Sequence, residues 1–102
     1  MQGMTTAKQK QFHRLVNRWK KETAHLSSSA QMARHPAYQE IIGMGSSVVP
    51  FLLAELQRKP DFWFLALREI TGENPVLPED AGKIKEMTQA WLEWGQSKGY
   101  IT

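Results

Sequence analysis

Residues 6–26 read TAKQKQFHRLVNRWKKETAHL, and the placing of the apolar letters in this run decides the fold class. Phe12, Leu15, Val16, Trp19 and Leu26 recur at intervals that stack side chains on one face of a helix with about 3.6 residues per turn. Lys10, Arg14, Asn17, Arg18 and Lys21 fall on the opposite face. Thr6, with Gln9 three positions on, matches a capping box, in which the two side chains each satisfy a backbone N–H that has no partner inside the helix. The run is therefore an amphipathic helix, aromatic and aliphatic within, basic outside.

The same grammar continues toward the C-terminus. Ser27-Ser28-Ser29 interrupts the first helix, and Ser28 with Gln31 repeats the capping box before a short helix through Arg34. Pro36 costs about 3 kcal/mol inside a helix but is tolerated at its first position, so His35-Pro36 reads as a break and a restart. The restarted helix carries Tyr38, Ile41 and Ile42 and ends at the turn Gly43-Met44-Gly45. Ser46 or Ser47 is expected to cap the next helix, with Pro50 in its first turn. From Val49 through Phe51, Leu52, Leu53 and Leu56 that segment is apolar over most of its circumference, which predicts a central position. Asp61 is expected to cap a helix carrying Trp63, Ala66, Leu67 and Ile70, closed by Gly72. After a loop containing Pro75, Pro78-Glu79-Asp80 is expected to open a last helix by setting negative charge at its positive end. Ile84, Met87, Trp91 and Trp94 form its apolar seam and Gly99 ends it.

No run alternates as a half-buried strand does, and Val48-Val49 is cut by Pro50. The expectation is an all-α domain over residues 6–102, five or six helices packed as stacked antiparallel hairpins, preceded by a disordered stretch over residues 1–5. A chain of 102 residues has room for one core. With no cysteine and no apolar run long enough to cross a bilayer, disulfides, Cys-ligated zinc and membrane spanning are not expected, and the cytoplasm is the expected compartment. The net charge of +3 is unevenly spread. Residues 1–35 carry seven basic side chains against Glu22 alone, a net of +6, and the remainder carries six against nine, a net of −3. An acidic partner should meet the N-terminal third.

The segment from His35 to Ile70 resembles a HEAT-type helical hairpin. The residues concerned are Ile41-Ile42-Gly43-Met44-Gly45, then Val48-Val49-Pro50-Phe51-Leu52-Leu53, then the stretch from Trp63 to Ile70. The Asp and Arg positions frequent between helices of such repeats are met here only by Asp61 and Arg68, and no second copy follows at fixed period. The chain also resembles a group of small bacterial proteins sharing His35-Pro36-Ala37-Tyr38 and the Ile41 to Gly45 motif. Such resemblance implies a binding surface and no particular activity.

Chemistry is sparse. His13, His25 and His35 form no metal-ligand spacing, and there is no phosphate-binding glycine loop. Ser27 to Ser29 read as capping and turn residues, and Glu79-Asp80 as helix-start charge, so no catalytic residue, metal or cofactor is expected. An enzyme would need His35, Tyr38 and acidic residues to share a pocket. The leading expectation is a non-enzymatic interaction module of the adaptor, antitoxin or immunity kind, binding another protein or a second copy. Helical spacing favours core packing for the tryptophans, so the partner-binding candidates are Lys10, Arg14, Arg18 and Lys21 on the basic face, with Trp91 and Trp94 added should the last helix pack by only one of the two. The alternative is nucleic-acid binding through the basic first helix.

Overall fold

The computed structural model describes residues 6–101, and the N-terminal stretch expected to be disordered, residues 1–5, lies outside them. Among the described residues the chain is all helical, without a strand: α1 (Ala7–Thr23), α2 (Ser29–Ala33), α3 (Pro36–Gly43), a 3-10 turn (Gly45–Val48), α4 (Val49–Arg58), α5 (Phe64–Thr71), a second 3-10 turn (Pro78–Asp80) and α6 (Ile84–Ser97).

Three helix starts follow local side-chain chemistry. The Thr6 hydroxyl accepts from the Gln9 amide at 3.0 Å, opening α1, and the Ser28 hydroxyl accepts from the Gln31 amide at 3.4 Å, opening α2. At α3, His35 Nδ1 accepts from the Ala37 amide at 3.0 Å while Pro36 occupies the first turn. Pro50 sits in the first turn of α4, where the missing N–H breaks no helical bond.

Three other starts differ from the sequence expectation. Ser47 turns back to donate its hydroxyl to Met44 O at 3.1 Å, and the 3-10 turn runs into α4 with no side-chain cap. Asp61 spends its carboxylate on the adjacent Phe62 amide at 2.8 Å, before α5 begins. The cap of α5 comes instead from α3: the Tyr38 hydroxyl accepts from the Ala66 amide at 3.0 Å, the third residue of α5. Pro78-Glu79-Asp80 forms the 3-10 turn, but Gly82 adopts φ +86 and redirects the chain, so α6 begins only at Ile84.

Pairing mostly skips a helix: α1 packs on α3, α3 on α5 and α4 on α6, while α4 and α5 also touch. One continuous core results. Its centre is aromatic. Trp19 of α1 lies with its ring centroid 4.5 Å from Trp63 and 5.6 Å from Tyr38, and Tyr38 stacks on Trp63 at 5.4 Å with 8° between planes. Burying such a side chain contributes roughly 1.5–3 kcal/mol each, with about 0.5–1.5 kcal/mol more for an aromatic pair. The Trp19 indole N–H donates to Met32 O at 2.8 Å, tying α2 to α1. At the other end, Gly95 lets α6 approach α4: a Cβ there would meet Leu53 Cδ1 at 2.6 Å.

Among the described residues, charge enters this core at one point. Glu55 of α4 is buried, yet its carboxylate takes two bonds from Arg58 Nη2, at 2.9 and 3.1 Å, and faces Lys20 Nζ of α1 at 3.6 Å. A buried carboxylate is costly unless paired, and here two cations converge on it.

Candidate functional site

Between α5 and α6 the chain crosses residues 73–83 as a strap. Gly72 and Gly82 bound it with φ of +72 and +86, left-handed values that side chains other than glycine rarely adopt. Glu73 anchors its start, accepting from the Trp94 indole N–H at 3.1 Å and lying 3.7 Å from Lys98 Nζ. The strap separates two recesses, and its residues alternate between them: Asn74 and Val76 line one, Pro75 and Leu77 the other.

The first recess is an apolar groove of about 520 Å³. Phe64 and Leu65 of α5, Val76 of the strap, and Ile84, Met87 and Trp91 of α6 form much of it. Leu65 and Ile84 stand at 39% and 41% exposure, two of the three large hydrophobic side chains exposed among the described residues. Arg68 is the one charged residue on its walls, and no described carboxylate lies within ion-pair distance of it. The other recess, of about 510 Å³, carries the third exposed hydrophobic, Leu77 at 56%, beside Asp80, Glu86 and Glu93.

The basic candidates come together on one surface. Lys10, Arg14, Arg18 and Lys21 are exposed and span about 80° of arc on the side of α1 away from the core. Arg18 Nε lies 3.5 Å from Glu22. Lys10, Arg14 and Lys21 make no ion pair within the described residues, while Lys20 is diverted to Glu55.

The tryptophan candidates turn inward. Trp91 is 0% and Trp94 9% exposed, because α6 packs with both rings: they meet edge to face at 5.2 Å, and Trp94 also stacks on Tyr100 at 5.4 Å. Both lie in the core, as their place on the apolar seam requires, and neither stands out as an anchor. Trp91 instead contributes to the wall of the apolar groove.

The structure does not bring His35 and Tyr38 into one reacting group. With Nδ1 accepting from Ala37, the remaining ring proton of His35 sits on Nε2, 2.6 Å from Glu22 Oε1. That bond, helped by Arg18, holds the Glu22 carboxyl below its usual value against a smaller opposing effect of desolvation. The Tyr38 hydroxyl is committed to Phe62 O and the Ala66 amide. Burial pushes its ionisation well up, with Asp61 and Glu69 adding to the shift and the Ala66 amide opposing it. Among the described residues no three His, Asp or Glu side chains converge as a metal site, and no helix is long and apolar enough to cross a membrane.

No family model, curated protein or solved structure matches this chain. Apart from Trp91, the groove residues are those that sequence reasoning missed. Leu65 and Arg68 were open to detection: both lie off the stripe of Trp63, Ala66, Leu67 and Ile70, so an apolar side chain was bound to face outward there. Spacing alone places Ile84 on the seam of the last helix, but the helix starts at that residue and its side chain is exposed.

Proposed function

We propose that this chain is a cytoplasmic, non-enzymatic binding module of HEAT-like character, an adaptor of the antitoxin or immunity kind, which holds a partner protein in the groove between α5, the strap and α6. One observation carries the reading: Leu65 and Ile84 leave apolar surface in water at a concave site walled by further apolar side chains. Such surface is costly to leave wetted, and partner burial recovers it. Among the described residues the only ionisable lining groups are Arg68 and the committed Tyr38, a composition suited to holding and poor in groups for proton transfer.

A photo-crosslinking side chain at Leu65 tests the reading in the native host, with the same group at exposed Glu40 on α3 as control. A discrete, stoichiometric protein adduct is expected from position 65 alone, and Ile84→Glu should abolish it. Equal labelling from both positions, or no discrete adduct, would remove the groove as the site.

A second reading, nucleic-acid binding, is favoured by the Lys10, Arg14, Arg18 and Lys21 surface. It extends roughly 16 Å along α1 and presents three cations unpaired among the described residues. Phosphate contacts by such a face give affinity that falls steeply with salt. A low-salt mobility shift that survives Arg14→Glu combined with Arg18→Glu would eliminate it.

A further inference from the structure

We infer that the groove selects a helical segment of a partner protein that presents apolar side chains one turn apart with a carboxylate beside them, Arg68 being the counter-charge. This rests on the partner-groove reading above and adds to it the chemistry of the occupant.

The walls set the shape. Leu65 and Arg68 lie three residues apart on α5, and Ile84 and Met87 three apart on α6, so each wall offers neighbouring projections about one turn apart. Side chains projecting from a helix at three- and four-residue intervals interdigitate with projections so spaced, which is how amphipathic helices dock in apolar grooves. The volume of about 520 Å³ accommodates a few side chains while the rest of the occupant remains outside.

Arg68 sets the charge. Every other lining residue is uncharged, and the Oδ1 of Asn74 is already taken by the Val76 amide at 3.2 Å. The guanidinium thus stands at an apolar wall with no carboxylate of the described chain to meet it. Its planar fork suits a carboxylate in two-bonded geometry. An ammonium brought to the same place would meet like charge, so the groove discriminates as well as attracts.

Two synthetic helical peptides of about fourteen residues test this, identical in their Leu-x-x-Leu pair and differing only in a flanking Glu or Lys. The full chain, labelled with nitrogen-15, is titrated with each and read by amide shifts and dissociation constant. The Glu peptide should perturb α5 and the start of α6 and bind at least about tenfold more tightly than the Lys peptide. Arg68→Glu should reverse the order. Arg68 is exposed, and unchanged far-ultraviolet dichroism verifies that this variant folds. Groove shifts with equal affinities would overturn the counter-charge and leave the groove reading standing. No groove shifts from either peptide would overturn both. A free-chain dimer by ultracentrifugation that Leu65→Glu dissociates would assign the groove to a second copy and reject the partner helix.

Discussion

The Tyr38 hydroxyl makes two bonds from one atom, donating to Phe62 O at 2.7 Å and accepting from the Ala66 amide at 3.0 Å. Tyr38→Phe keeps the ring stacked on Trp63 and strands both backbone groups, so a loss of about 1–3 kcal/mol is expected in urea unfolding. An unchanged midpoint would mean that α5 does not need this cap. Glu22 acts at the α1–α3 junction through pH. Its folded-state carboxyl is held low, first by the His35 bond, so its contribution is present above the ordinary carboxylate value and is lost as pH falls through the lowered one. Stability should therefore decline on acidification below about pH 4.5, and Glu22→Gln should flatten that limb. A Gln variant with the same acid profile as the parent would assign the effect to other carboxylates.

At the scale of elements, α4 and α6 meet where Gly95 faces Leu53, with Ile101 Cγ1 at 3.3 Å from the missing Cβ. Gly95→Val forces branches into that contact and should cost about 1–3 kcal/mol by overpacking, although glycine is itself a poor helix former. A variant as stable as the parent would show that Leu53 has room to yield. Helix existence and facing were legible in the sequence because they depend on spacing alone: Phe12, Leu15, Val16 and Trp19 are buried as their intervals require. Starts were legible where the capping atom sits within three residues, as at Thr6, Ser28 and His35. They were not where it comes from afar, since Tyr38 lies 28 residues from the amide it caps. The groove was hidden for the same reason, being walled by α2, α3, α5, the strap and α6. Glu55 was concealed differently: a lone acid in an apolar helix gives no sign that Lys20 of another helix will meet it.

Across the whole molecule, the four tryptophans report on one body. Trp19, Trp63, Trp91 and Trp94 sit at positions from the first helix to the last, all buried in one cluster. Tryptophan fluorescence and far-ultraviolet dichroism should therefore lose their signals at the same denaturant concentration, as a single cooperative unit does. Separated midpoints would show that the aromatic cluster and the helices do not melt as one unit. The strap has a different bearing on the molecule's history. It hangs between two left-handed glycines and contributes walls on both of its sides, yet its only large contributor to the interior is the half-buried Val76. A lengthened or rewritten strap would remodel both recesses while sparing the packed helices, so the contour of this face can change through a dozen codons with the scaffold left as it is.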